Sequence, residues 1–166
     1  MSVDDTVRAE RDELRATLKA QYMRPAADRP TTTGRGVHHV ALLSNDVERT
    51  VRFYQELLGF PLTDMFENRD YAGSTHFFFD IGNGNALAFF DMPGLGLGGY
   101  AEVLGGLHHL ALSVTPEHWT GALERLRGVD IEPLIIDSSM YFADPDGARI
   151  ELISDPLGEM YGHSVL

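Results

Sequence analysis

The sequence predicts an α+β fold built from two βαβββ modules, with a helical arm in front of them. Two observations predict it. The stretch GVHHVAL, residues 36–42, has a near copy in GLHHLAL, residues 106–112. After each copy the same order of patterns follows, a helical period and then three strand-like runs.

Residues 3–23 place Val3, Val7, Leu14, Leu18 and Tyr22 at mostly helical spacings among Asp, Glu and Arg, the pattern of an amphipathic helix. RPAADRPTTTGRG then interrupts it with Pro and Gly, so residues 1–35 read as an arm and linker for packing or dimerisation. The first module spans 36–91. Its strand VHHVALLS ends at Ser44-Asn45-Asp46, where Asn45 or Asp46 can cap a helix whose apolar stripe is Val47, Val51, Tyr54, Leu57 and Leu58 and whose stop is Gly59. FPLTDMFE, THFFFDIG and NALAFFDM follow as strands, the last two joined by the turn signal Gly82-Asn83-Gly84-Asn85. A glycine-rich linker, residues 92–106, leads to the second module at 107–155. There LHHLALSV is the strand, Thr115 caps a helix with Pro116 at its first position, and Trp119, Leu123 and Leu126 form its apolar side. VDIEPLII, SMYFAD and ARIELIS complete the module, with Asp144-Pro145-Asp146-Gly147 as a hairpin turn, and residues 156–166 form a tail.

The bulk properties narrow the partners. Thirteen basic against 25 acidic residues give a formal charge of −12, with the basic residues scattered singly. That excludes nucleic acid and anionic membrane as partners and leaves a small molecule. No run reaches the length of a membrane span, and MSVDDTVRAERDELRATLKA is charged where a signal peptide is apolar, so the expected location is the cytoplasm. With no cysteine, a metal here must be held by imidazole and carboxylate.

Strand pleating divides each His-His pair, because successive side chains point to opposite faces. In the second copy His108, Leu110 and Leu112 share one face, and His109, Ala111 and Ser113 the other. Bulky aliphatics suit the face covered by the helix, so His109 turns to the open side and His108 toward the core; the first copy divides in the same way into His39 and His38. In ARIELIS, Ile150 and Leu152 face one way and leave Glu151 on the other, in an apolar strand where an unpaired carboxylate is costly. Either a metal or a neighbour such as Arg149 can be its partner. Aligning GARIELISDP with GNALAFFDMP places Ala88 where Glu151 stands, so the two halves offer three ligands, His39, His109 and Glu151. Two imidazoles and one carboxylate suit a divalent first-row metal with open positions, Fe(II) foremost, with Mn(II) or another such ion as alternatives.

From about Gly36 to Ser154 the chain resembles the vicinal oxygen chelate superfamily, which includes glyoxalase I, the bleomycin and fosfomycin resistance proteins and the extradiol ring-cleaving dioxygenases. HHVALLSNDVERTVRFYQELLGF, HFFFDIGNGNALAFFDMP and YFADPDGARIELI carry the resemblance. It implies an eight-stranded, cup-shaped sheet with a metal inside, held by His39, His109 and Glu151. Glyoxalase I resembles a four-ligand design, from which Ala88 departs, and bleomycin-type binders lack the ligand set. YFADPDGARIE is similar to the dioxygenase signature, which implies that Tyr141 donates to a bound substrate oxygen. That signature expects a histidine upstream of the tyrosine, and VDIEPLIIDSS has none. His76, at the start of a strand, either reaches the cup as an assisting catalytic residue or is solvated there.

The resemblance thus implies a metal-dependent, dioxygenase-like enzyme acting on a small aromatic or enediol-type molecule. The alternatives are a lyase, isomerase or epimerase, and a metal-independent binding or resistance protein. The family's habit of pairing modules, with the N-terminal helix, implies a homodimer. Phe78, Phe89, Phe90 and Met140 read as wall and core, and His118 and His163 as surface.

Overall fold

The computed structural model describes residues 4–166, so Val3 lies outside the described residues. Residues up to Gly34, with Leu166, form one compact unit and Arg35–Val165 another. In the first, α1 (Asp5–Tyr22) starts where the Asp4 carboxylate accepts the Val7 N–H at 2.9 Å, and it buries none of its residues. None of the described helices is long and apolar enough to cross a membrane.

The second unit contains both modules. The first has β1 (His39–Ser44), α2 (Val47–Val51), β2 (Leu62–Glu67), β3 (Thr75–Asp80) and β4 (Ala86–Asp91). The second has β5 (Leu110–Ser113), α3 (Pro116–Arg127), β6 (Leu134–Ile136), β7 (Ser139–Ala143) and β8 (Arg149–Ile153). The eight strands lie in two four-stranded sheets of the same order, β1-β4-β3-β2 and β5-β8-β7-β6. In each, the first strand runs parallel to the last, as a crossover through a helix requires. Asp46 and Thr115 are the helix caps, accepting from the N–H groups of Arg49 and His118. Gly59 ends the first helix with φ +83°, a left-handed conformation in which a side chain would be strained.

The alternate strand residues Leu87, Phe77, Phe79 and Phe89 of the first sheet and Met140, Ile150 and Leu152 of the second are fully buried. They join Tyr54, Leu58, Ala122 and Leu126 of the helical segments in one core shared by both modules. Each large apolar side chain there contributes about 1.5–3 kcal/mol of burial. Polar contacts tie the modules across that core. The Tyr54 hydroxyl donates to Asp144 at 3.1 Å, and Arg125 Nε donates to the Leu57 carbonyl at 2.7 Å. Arg49 pairs with Asp146 at 2.7 Å. Burial first, and then the facing Asp144, hold the Tyr54 phenol well above its ordinary pKa, so it stays a donor.

Three features differ from the sequence reading. The first helix is α-helical only to Val51 and continues as a π-helix over Arg52–Leu57, where the Leu58 N–H reaches back five residues to the Phe53 carbonyl at 3.0 Å. The wider turn lets the consecutive Phe53 and Tyr54 both enter the core, which a regular α-helix would resist. His118 is half-buried rather than at the surface: its Nε2 lies 2.6 Å from the Leu58 carbonyl and its ring 5.2 Å from that of Phe60. Finally, the tail forms a hairpin, β9 (Glu159–Met160) with β10 (His163–Ser164).

Replacing Tyr54 with Phe deletes the donor to Asp144 and is expected to lower unfolding free energy by about 1–2 kcal/mol in urea denaturation. An unchanged midpoint would show that the contact is not part of the junction.

Candidate metal centre

The register of the second sheet places Glu151 opposite Ala111 on one side and Tyr141 on the other, and Ile153 between Ser113 and Ser139. These residues share the face turned away from the core. The Glu151 side chain is only 4% exposed. Its Oε1 accepts from the Ser139 hydroxyl at 2.5 Å and the Tyr141 hydroxyl at 2.8 Å, and its Oε2 lies 3.0 Å from His109 Nε2. A carboxylate so buried requires such partners, since each donor offsets part of the lost hydration. Burial and the hydrogen bond to Glu151 raise the Tyr141 pKa and keep its phenol protonated.

Arg149 is not the partner of Glu151. It forms an ion pair with Glu102, and its Nη1 lies 3.1 Å from His108 Nε2. A guanidinium only donates, so His108 Nε2 accepts and the His108 proton sits on Nδ1, which lies 2.6 Å from His109 Nδ1. The proton of His109 is thereby left on Nε2, aimed at Glu151. His38 and His39 form the matching contact, Nδ1 to Nδ1, at 2.9 Å. Here the structure corrects the sequence reading. His38 and His108 are exposed and do not enter the core; each touches the neighbouring ring, because the strand starts too late to bury it.

The first sheet repeats this layout with different chemistry. Ala88 pairs with Ala41 and Phe78, as Glu151 pairs with Ala111 and Tyr141. His76 pairs with Phe90, in the position that Ser139 holds in the second module. Its ring stacks on Phe90 at 3.7 Å and 20° and lies 4.2 Å from Phe78 and 5.3 Å from Phe66. The sequence left two places for His76; the structure puts it on the open face among aromatic rings. His76 Nε2 is buried with no hydrogen-bond partner among the described residues. Desolvation first, then the charge of His39, lowers its pKa.

The structure therefore brings His109, Glu151 and Tyr141 together, and sets His39 and His76 on the open face of the other sheet. Among the described residues no three metal-ligating side chains converge in a single chain. A groove of about 1090 Å³ runs beside β1 and the glycine-rich linker, lined by Ala41, Leu43, Asp91, Tyr100 and Asp146, and none of the five candidate site residues borders it. Sequence reasoning missed Ser139. Its signal was present, since Ser139 and Tyr141 are two apart and must share a pleat face. The donor set fits a first-row divalent ion: one imidazole nitrogen and one carboxylate oxygen hold a proton between them, where a shared cation would take its place.

Residues 36–152 match the model of the glyoxalase/bleomycin resistance protein/dioxygenase superfamily. The chain is 29% identical over 126 residues to the "Putative ring-cleaving dioxygenase MhqE" of Bacillus subtilis, matching with 72% of its own length and spanning 41% of that protein. It is 24% identical over 135 residues to the metallothiol transferase FosB of Lysinibacillus sphaericus, covering 72% of this chain and 82% of that one. Among solved structures, a point mutant of the fosfomycin resistance protein FosX of Listeria monocytogenes, complexed with Mn(II) and 1S,2S-dihydroxypropylphosphonic acid, superposes with a TM-score of 0.57 at 21% identity, covering 74% of this chain and 94% of that one. At that identity the likeness concerns the fold.

Removing the Ser139 hydroxyl, as Ser139→Ala, is expected to cost about 1.5–3 kcal/mol in the metal-free protein, because a buried carboxylate loses a charge-assisted donor. Chemical denaturation of the EDTA-treated variant checks this; native-like stability would mean that Glu151 is held by its other partners alone.

Proposed function

We propose that this chain, which belongs to the glyoxalase/bleomycin resistance protein/dioxygenase superfamily, is a metal-dependent enzyme that oxidises a small aromatic or enediol-type molecule bound through two oxygens. The observation that carries this reading is the buried Glu151, paired with His109 and steadied by Ser139 and Tyr141. His109 Nε2 and Glu151 Oε2 would hold the metal from one chain, and His39 would come from a second copy. Both open faces expose apolar side chains, Leu43 and Phe66 on one and Leu134 and Ile136 on the other, as surfaces meant to be covered do. A two-fold pairing that set the face of His39 against that of Glu151 would form two equal sites.

A divalent ion such as Fe(II) supplies Lewis acidity and redox capacity at such a site. The rest falls to the chain's own residues. Tyr141 keeps a proton directed at the carboxylate and is placed to donate to a substrate oxygen beside it. His76, neutral and without a partner at Nε2, takes a proton from a substrate hydroxyl, while Phe66, Phe78 and Phe90 exclude water and face a planar ring. Charge favours this substrate class over a phosphonate. Among the described strand residues of the open faces Arg149 is the only Lys or Arg, and Glu102 and His108 already engage it.

Protein prepared without chelators is expected to hold about one first-row divalent ion per chain, and His39→Ala or Glu151→Gln is expected to lower that content at least about tenfold. Mixing those two variants tests the shared site. Random pairing restores about a quarter of the native metal, because half of the pairs are mixed and each has one intact site; no recovery removes the two-copy reading. With catechol as probe, oxygen uptake should accompany turnover, and turnover without it would favour the lyase or isomerase alternative. His76→Ala should lower kcat by about a hundredfold or more with metal content intact. In the native protein the acid limb of kcat/KM should lie below 6.5, the ordinary imidazole value, since the lowered pKa of His76 keeps it unprotonated further into acid.

A further inference from the structure

Glu102 of the glycine-rich linker holds Arg149 in an ion pair, and Arg149 Nη1 lies 3.1 Å from His108 Nε2. From there the contacts run inward without a gap. His108 Nδ1 lies 2.6 Å from His109 Nδ1, and His109 Nε2 lies 3.0 Å from Glu151 Oε2. Tyr100, in the same linker, donates its hydroxyl to the carbonyls of Leu107 and His108 at 2.6 and 3.1 Å, so the linker grips the main chain of this segment as well. The first module has no such connection. Ala86 stands where the alignment of the last strands puts Arg149, and the His38 ring has only His39 as a hydrogen-bond partner among the described residues.

Both ends of this chain of contacts impose the same order of protons. A guanidinium only donates and a carboxylate only accepts, so each imidazole donates toward Glu151, His108 through Nδ1 and His109 through Nε2. Holding a metal requires the opposite order. His109 Nε2 must offer its lone pair, so the ring proton moves to Nδ1; His108 Nδ1 must then accept, and its own proton moves to Nε2. Two protons remain on two neutral rings, so none is gained or lost. The end at Glu151 adapts, because a carboxylate is itself a ligand. The other end does not, since His108 Nε2–H and an arginine N–H would meet donor to donor.

We propose that Arg149, aimed by Glu102, is a positioning residue that opposes metal loading: it acts through His108 to keep the His109 proton on Nε2, and His109 becomes a ligand only as the Arg149–His108 contact breaks. The proposal rests on the reading of His109 and Glu151 as metal ligands, and metal binding by the native chain separates the two. When Mn(II) is titrated into metal-free full-length protein, Arg149→Met is expected to bind it about three- to tenfold more tightly than the native chain, the weight of one hydrogen bond. His108→Phe keeps the charge of Arg149 and removes the link, and should gain by a similar factor. Arg149→Lys, whose ammonium also only donates, should stay close to native. In native protein labelled with nitrogen-15 histidine, His108 Nε2 should carry no hydrogen without metal and should carry one when Zn(II) is bound. A gain in Arg149→Met alone reflects lost charge and overturns the proposal, as does native or weaker affinity in both variants, or a Zn(II)-loaded protein in which His108 Nε2 has no hydrogen; in each case the ligands stand. If neither the native chain nor any variant binds Mn(II) or Zn(II), the ligand reading falls and the proposal with it.

Discussion

A buried carboxylate constrains the second module more than any other group. Glu151 lies in the middle of an apolar strand with almost no contact with water, and an ion in that setting is tolerated only when its lone pairs are filled. Three side chains fill them, and each occupies its position because the pleat brings it to the same face: Ser139 and Tyr141 from the neighbouring strand and His109 from the other side. The core on the opposite face locks those strands in register. The site geometry is thus a product of the packing behind it. Shifting β8 by one residue would put Ile150 or Leu152 in place of Glu151 and invert both faces.

Much of this was legible in the chain. The repeated Gly-X-His-His fixed the two modules, and side-chain alternation separated His39 and His109 from their neighbours without reference to any metal. The alignment that put Ala88 in the place of Glu151 agrees with the register, since the two residues pair with Ala41 and Ala111, each the second residue after the open-face histidine of its module. What escaped was set by contacts between segments distant in sequence. The arginine two residues before Glu151 was a plausible partner, since alternation puts both on one face, yet Arg149 is engaged by Glu102 and His108, partners more than forty positions away that alternation does not encode. His118 read as a solvated helix residue, and its hydrogen bond to a carbonyl 60 positions away is invisible to periodicity. The π-turn likewise answers a packing demand, two successive aromatic rings entering one core, which helical spacing rules do not encode. The hairpin after β8 has strands of two residues, too short for any alternation to register.

The shared core also explains why His39 and the Glu151 cluster stay apart within one chain. Both helical faces are spent on a common interior, joined by the Tyr54–Asp144 contact and by Arg125 capping the Leu57 carbonyl. Each sheet is left with its chemically equipped face outward. Stability and function are in this way divided between the two sides of the same strands: volume and hydrophobicity decide one side, charge and hydrogen bonding the other.

The difference between Ala88 and Glu151 has a consequence for direction. Two identical halves would present equivalent surfaces to anything lying between them. This chain presents a carboxylate and a phenol that carries a proton on one surface, and on the other an imidazole among hydrocarbon rings whose Nε2 has no hydrogen-bond partner among the described residues. A molecule placed between such surfaces would meet an ionic, hydrogen-bonded wall on one side and a largely aromatic one with a single unpartnered ring nitrogen on the other, so its two edges would cease to be equivalent even if it were itself symmetric.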